Sequence, residues 1–486
     1  MFFWAGFVPL SKKAVFSMDQ IIFTIRLLCL LSISYTALAL PSLFCPMAWA
    51  EYPLLKKAII DRNLKDLQKS LSDGSYHGEE GILRIRPDVA AKRLGIKVFI
   101  DQDYRDAQAL FERAEKSLEK ANAAMVSVAD ETFPGEHAAS IIEHFLHYKD
   151  RLASAKENLM TSRSRVNPAN DDRLNEAAAN HLMDRLLVLC LKKTDKRLRD
   201  ALGLFYNVCQ GINPNESSLT PDNIAFVNEV FLVFTSGSME ETLNAFDLDS
   251  DGDYKDRHGN SDWKRAVGRE ESRYVHIMEA VLEKYGDKGY KIDPLLFFAL
   301  MRRESNFDPL AVSSVGAAGL TQIMPRTAID MGMKNIFVPK YLSEAGAYLD
   351  RERRSKAKAF AALNQIDEKN GLHHAKRARE LMQQSLAYGE KRELLYAQYR
   401  KDLLKNRTDE RLDPSLALEY GFKYFSALMK EQKGDISLAL SSYNAGPHRV
   451  RQYKGIPPFE ETVRFRNRVL EFYRDYLKKG GVARGK

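Results

Sequence analysis

Cysteine is scarce in this chain, with four in 486 residues. Cys29 and Cys45 fall in a segment that reads as a leader, which leaves Cys190 and Cys209. In an oxidising compartment that even pair is compatible with a disulfide, and equally with two buried thiols in an apolar helical stretch. Geometry decides between the two. Zinc-finger spacings, RNA-binding aromatic motifs and dense basic runs are all missing, so nucleic acid is not an expected partner. Strand-like alternation of useful length is absent too. No fixed-period repeat stands out, although Leu110-Phe111-Glu112-Arg113-Ala114 has the small and large alternation of stacked helical hairpins. These absences leave an all-α protein.

What is present is a net positive charge of +8 on a chain 45% hydrophobic and 28% charged. That balance favours anionic partners, of which anionic lipid and an anionic wall polymer remain. At this length two or three domains are expected, each able to bury a core.

The amino terminus sets the compartment. Lys12, Lys13 and Arg26 precede one apolar run from Leu27 to Leu40, which Pro41 breaks. Ala48-Trp49-Ala50 then offers small residues where a signal peptidase reads, so residues 1–50 are expected to be an export signal and Glu51 the first mature residue. The long stretch before the apolar run leaves Met18 as a second candidate start. An uncleaved anchor is the competing reading. A lipid on Cys45 fits poorly behind the bulky Phe44. The expected location is the periplasm or the exported envelope, with cell-wall or envelope machinery as a candidate partner and membrane association open but not expected.

Residues 51–245 have helical periodicity nearly throughout, as in Ala107–Val128, Ala138–Met160, Leu174–Thr194 and Lys196–Val208, with Pro134-Gly135 and Asn167-Pro168 as breakers. Their purpose is not written in the sequence. Residues 246–273 form an acidic loop and linker. Asp247, Asp249, Asp251 and Asp253, with Gly252 at the sixth place, have the spacing of a calcium loop. Position twelve is His258, not a bidentate carboxylate, so a structural calcium competes with a solvated acidic turn.

From 274 to 480 the pattern changes. Asp293-Pro294 is a cap followed by proline in the first helical position, and Leu295 to Met301 is apolar on every side. Asp308-Pro309 ends that helix near Ser305. Residues 340–407 are charged, poor in proline and helix-prone, and read as an inserted helical hairpin with a break at Gly371-Leu372-His373-His374. That histidine pair reads as an exposed turn more readily than as a metal site. Asp413-Pro414 starts a helix through Lys430, Asp435 caps one through Tyr443, and Pro458 to Tyr476 closes the region.

The chemistry gathers around Glu304. At the carboxyl end of a buried helix, both the helix dipole and partial burial disfavour its charge and raise its pKa. A lone glutamate there would ordinarily be a surface ion pair. Its neighbours change the reading. Gly316 and Gly319 permit close approach of a polymer, Gln322 can donate and accept inside a cleft, and Ser313 lies in the same turn-rich stretch. Tyr443 offers a flat face and a hydroxyl suited to a sugar ring. Gly446-Pro447 would leave Tyr443 and Asn444 at a cleft edge, and Glu461-Thr462 opens the last helix beside it.

Three motifs then appear in order: Glu304-Ser305 with Phe307 and Pro309; Gly316-Ala317-x-Gly319-Leu320-Thr321-Gln322-x-Met324-Pro325; and Tyr443-Asn444-Ala445-Gly446. With them residues 274–476 resemble the lysozyme-like catalytic domain of the soluble lytic transglycosylases. The resemblance implies Glu304 as sole catalytic acid and base. It also implies Ser313, Gln322, Met324, Tyr443, Asn444 and Glu461 as substrate-binding residues of a glycan cleft. It implies cleavage between N-acetylmuramic acid and N-acetylglucosamine of peptidoglycan strands, with the muramic 6-hydroxyl closing on its own anomeric carbon and no catalytic cofactor. Ordinary glycosidases need two carboxylates at a set separation, and no second acid is evident here.

Thr321, Ser442 and Phe465 depart from the residues the family commonly has, and the insertion widens the spacing between the second and third motifs. Two further readings stay open: a muramidase that cleaves the same bond with water, and a wall-binding scaffold that has lost activity.

Overall fold

The computed structural model describes residues 52–127, 134–213, 218–238, 240–243, 246, 248, 263–285 and 292–480. The chain divides after Pro53, and the elements below, apart from the first residue of the first helix, belong to the unit that starts at Leu54. The expected signal over 1–50 and the acids Asp247, Asp249, Asp251 and Asp253 lie outside the described residues. Among the described residues there is no strand, only isolated bridges at Glu80–Ile85, Val312–Ala318 and Ala318–Ile323.

The first half contains α1 (Pro53–Asp73), α2 (Gln102–Val126), α3 (Pro134–Arg163), α4 (Glu176–Lys193), α5 (Leu198–Gln210) and α6 (Ile224–Gly237). Two of the starts have a side-chain cap. The Asp101 side chain accepts from the Tyr104 amide at 2.9 Å and Asn175 from that of Ala178 at 3.0 Å, so both satisfy an orphan donor of the first turn. Gly211, in the left-handed conformation, ends α5.

In the second half come α7 (Val275–Tyr285), α8 (Pro294–Ser305), α9 (Pro325–Met331), α10 (Lys340–Asn364), α11 (Gly371–Asn406), α12 (Pro414–Glu431), α13 (Ile436–Ala445), α14 (Pro447–Tyr453) and α15 (Glu460–Lys479). Asp293, Asp413 and Asp435 cap α8, α12 and α13 as expected. One boundary is corrected. The break in the insertion is 365–370, and Gly371-Leu372-His373-His374 is the first turn of α11.

Helix α8 is the post of the second half. Pro294 to Met301 are all buried, with Phe297 and Phe298 packed among Phe422, Phe425, Leu440, Phe465 and Val469 of α12, α13 and α15. At roughly 1.5–3 kcal/mol per large apolar side chain, that cluster fixes where the end of α8 points.

The inserted hairpin α10–α11 does not stand alone. Its Ala359, Leu363, Ala375, Ala378 and Met382 pack against Ala121, Met125, Ile141 and Phe145 of α2 and α3. Lys149 donates to the carbonyl of Ile366 at 2.7 Å and Arg379 to that of Ala124 at 2.7 Å. Polar ties join the halves elsewhere. Arg199 pairs with Asp435 at 2.5 Å, and Arg466 with Asp200 at 2.8 Å. Asn228 exchanges two hydrogen bonds with the backbone of Ile456, at 2.8 and 3.1 Å. Burial pushes Asp200 up, but Arg466 and Arg197 outweigh it and hold the carboxyl below the usual range.

Candidate active site

Glu304 occupies the last turn of α8 and is half-buried. Burial pushes its carboxyl from an ordinary 4.5 up to about 8; Arg303 opposes the rise and the charge of Glu461 adds to it. Desolvation outweighs the opposing arginine charge. The Arg302 guanidinium lies 4.2 Å from the Phe472 ring centre and that of Arg303 5.6 Å from Phe465, both on α15. A carboxyl that keeps its proton near neutrality can act as a general acid.

The loop after α8 is fastened to it. Ser305 Oγ donates to the carbonyl of Leu320 at 2.8 Å, joining the first two motifs directly. Gly319 holds φ +78°, and a Cβ there would lie 1.7 Å from the Arg411 carbonyl, so no side chain fits. Arg411 is fully buried, paired with Asp409, and donates to the carbonyls of Gly316 at 2.9 Å and Ile323 at 3.1 Å. The sequence reading missed this brace, which comes from the far side of the insertion. Thr321 is buried as well, its hydroxyl donating to the Ala417 carbonyl at 2.9 Å.

The expected cleft residues divide in two. The Gln322 amide nitrogen donates to the carbonyls of Ala311 and Gly319, each at 2.9 Å, so it is spent on its own loop. Ser313 Oγ accepts from the amides of Val315 at 3.2 Å and Ala317 at 3.0 Å, which shapes the turn. Met324 is 41% exposed. Tyr443 does come to the acid: burial raises its hydroxyl well above the ordinary value, and the nearby charge of Glu304 raises it further. Its ring packs on Tyr424 and Phe425 with centres 5.3 and 6.0 Å apart. Asn444 Oδ1 accepts from the Thr462 hydroxyl at 2.8 Å, which holds the tyrosine turn against the start of α15. Glu461 is exposed there. Its charge adds to the rise at Glu304, so a second carboxylate lies in the neighbourhood of the acid.

A cavity of about 520 Å³ opens beside Arg303, between α5 and α15. Arg464, Arg468 and Arg474 line it, together with the ion-paired group Arg197, Asp200 and Arg466. Six arginines face two carboxylates, Asp200 and Glu471, so the hollow is strongly basic.

Cys190 and Cys209 are free, buried thiols; burial pushes Cys190 up to about 12 and Cys209 higher still. Among the described residues, Glu143, His144 and His147 of α3 are the group placed to converge on a metal, well away from Glu304 in sequence and on an exposed face. No helix among the described residues is long and apolar enough to cross a membrane.

Known proteins share this region. The family described as "Transglycosylase SLT domain" matches residues 282–365 and 394–464, leaving out much of the insertion. A transglycosylase of Enterobacteria phage PRD1 is 41% identical over 63 residues, 13% of this chain and 24% of that protein. The membrane-bound lytic murein transglycosylase C of Haemophilus ducreyi is 38% identical over 71 residues, 15% of this chain and 17% of that protein. The chain thus spans about a quarter or less of the curated relatives it matches. The 70 kDa soluble lytic transglycosylase SLT70 of Escherichia coli aligns over 87% of this chain and 71% of its own at 14% identity, with a TM-score of 0.27, too low to indicate a common overall arrangement.

Proposed function

The matched part of the chain, residues 282–365 and 394–464, belongs to the transglycosylase SLT family, and from that premise we propose that the protein is a lytic transglycosylase of peptidoglycan. The observation that carries the proposal is Glu304: a half-buried carboxyl pushed up to about 8, with the Tyr443 turn and the glycine-rich loop closed around it. The printed name of the Haemophilus ducreyi relative, a lytic murein transglycosylase, supports the substrate class. The basic hollow and the net charge of +8 suit an anionic wall polymer.

In this mechanism Glu304 gives its proton to the glycosidic oxygen as the bond from the muramic anomeric carbon breaks. The substrate acetamido group and the dipoles of the loop carbonyls steady the positive charge that develops. Glu304, now ionised, takes the proton of the muramic 6-hydroxyl while that oxygen bonds to the anomeric carbon. The product is a 1,6-anhydro end and the acid is restored. Tyr443 and the exposed Met324 form the walls, and Gln322 and Ser313 hold the loop in shape. Export to the periplasm, and any calcium at Asp247, Asp249, Asp251 and Asp253, belong to the same proposal as structural expectations.

One observation favours a second reading. Glu461 provides another carboxylate beside the acid, which a hydrolytic muramidase would use to activate water. Substituting Glu304→Gln and following release of soluble fragments from purified sacculi tests both enzyme readings against the inactive scaffold. The expected result is loss of release with glycan binding kept. Release at the native rate would end the assignment of Glu304.

A further inference from the structure

The two halves of the molecule repeat each other at a spacing of 238 residues. Helix α2 runs from Gln102 to Val126 and α10 from Lys340 to Asn364; α4 runs from Glu176 to Lys193 and α12 from Pro414 to Glu431; α5 starts at Leu198 and α13 at Ile436. The turns follow the same register. Gly78 and Gly316 have φ of +96° and +91°, Gly81 and Gly319 +72° and +78°, and the non-glycine pair Arg84 and Gln322 +49° and +46°. A non-glycine residue at positive φ is uncommon, so a matched pair at the same place is hard to obtain by chance. The bridge Glu80–Ile85 has its counterpart in Ala318–Ile323.

The buried braces repeat too. Arg173 pairs with Asp171 and donates to the carbonyls of Gly78 at 2.8 Å and Ile85 at 2.7 Å. Arg411 pairs with Asp409 and donates to Gly316 and Ile323, and in both halves those carbonyls lie 95 and 88 residues before the arginine. A Cβ on Gly81 would lie 2.0 Å from the Arg173 carbonyl, as one on Gly319 would meet that of Arg411. In sequence, what survives is Gly-x-x-Gly followed by Ile and Pro, at 78–87 and 316–325, and Asp-x-Arg-Leu, at 171–174 and 409–412. Helix packing alone dictates none of this.

We infer that residues 53–237 are a second copy of the transglycosylase fold that has kept the frame and lost the chemistry. The register position of Glu304 is held by Asp66. Its oxygens are taken by Arg62 and by Arg84 at 3.3 Å, the latter in the place of Gln322. Glu229 closes the cluster by pairing with Arg62 at 3.2 Å and Lys65 at 2.8 Å. Helix α1 runs on to Asp73, where α8 stops at Ser305, so no loop opens beside that carboxyl. Tyr443 has Phe205 as its counterpart, a buried ring with no hydroxyl to give. Ion pairs thus fill the place of a cleft.

The copy serves as a platform. Its Arg199, Asp200 and Asn228 bind Asp435, Arg466 and Ile456 of the catalytic half, and its hairpin α2–α3 carries the equivalent hairpin α10–α11. That pairing gives the insertion a purpose: each half holds the same hairpin, and the two hairpins share one core.

The silence of this copy rests on Glu304 being the acid, whereas its identity as a copy does not, and the test separates them. Turnover of purified sacculi is measured for the whole protein and for Asp66→Asn, Glu304→Gln and the double variant. Asp66→Asn is expected to stay within about twofold of the native rate, while Glu304→Gln and the double variant fall together by about a thousandfold. A tenfold loss in Asp66→Asn with unchanged melting overturns the silent role. So does residual turnover in Glu304→Gln that the double variant lacks. For the copy itself, Arg173→Gln and Arg411→Gln are each expected to lower the melting temperature by about 5 °C or more. An experimental structure is expected to superpose 54–237 on 292–475 in the 238-residue register. Arg173 found away from the carbonyls of Gly78 and Ile85, or a variant at either arginine that melts as the native protein does, overturns the duplication. If the native protein turns over no sacculi at all, the enzymatic reading fails while the superposition and the melts still judge the copy.

Discussion

The hydroxyl of Tyr443 donates to the carbonyl oxygen of Thr321 at 2.7 Å, fastening the turn after α13 to the loop after α8 across 122 residues. Thr321 is itself buried and bonded to α12, so one phenol sets the position of the loop that faces the acid. Tyr443→Phe removes the donor and strands the carbonyl. The expected cost is about 1–2 kcal/mol in denaturant unfolding, with kcat/KM on glycan strands falling more than stability does. A variant with native stability and native kcat/KM would show that the tie is idle.

Activity should follow the protonated fraction of Glu304. With the carboxyl at about 8, kcat/KM is expected to hold through neutrality and to fall above pH 8; an unshifted carboxyl would begin its fall near 4.5. Glu461→Gln removes a charge that raises Glu304, so the alkaline limb moves to lower pH. Arg303→Gln removes one that lowers it, so the limb moves to higher pH. pH–rate profiles of the three proteins check the signs.

The same shift has a cost in stability. Between 4.5 and about 8 the unfolded chain gives up the Glu304 proton and the folded chain keeps it, so raising the pH through that window favours unfolding. Glu304→Gln cannot ionise. It should match the native protein at pH 4 and become the more stable of the two as pH rises, with the gap levelling off above about 8. Melting curves across pH 4–9 measure that gap directly.

Much of the site could be read locally because its determinants are local. Asp293-Pro294 caps α8, the apolar run buries it, and the glycines at 316 and 319 mark a loop of unusual backbone. What could not be read depends on chain ends that meet only in the fold. Arg411 reaches its carbonyls from beyond the insertion, Glu461 approaches Glu304 from α15, and the Gln322 amide turns inward to its own loop. The duplication stayed hidden for a related reason. Its conserved positions are a few turn glycines and one braced arginine, spread over a spacing far longer than any helical repeat, while the helices between them drifted freely in sequence.

The basic hollow predicts a dependence on substrate charge. Arg464 and Arg468 are exposed and, among the described residues, pair with Glu460 and Glu471 on their own helix, contacts that contribute little, while Arg468 also lies over the Phe472 ring. Replacing both by glutamine should raise KM for anionic, peptide-bearing strands several-fold at low salt and leave kcat and melting near native values. The difference should shrink as salt screens the attraction. An equal effect on strands stripped of their charged peptides would place the contribution elsewhere.

The central claim is that Glu304 alone carries the proton both out and back. Mass analysis of fragments released from sacculi by the purified protein tests it most directly. The expected products end in 1,6-anhydro muramic residues, with none from Glu304→Gln and with Glu461→Gln still forming them. Reducing ends that incorporate labelled oxygen from water, lost on substituting Glu461, would contradict it.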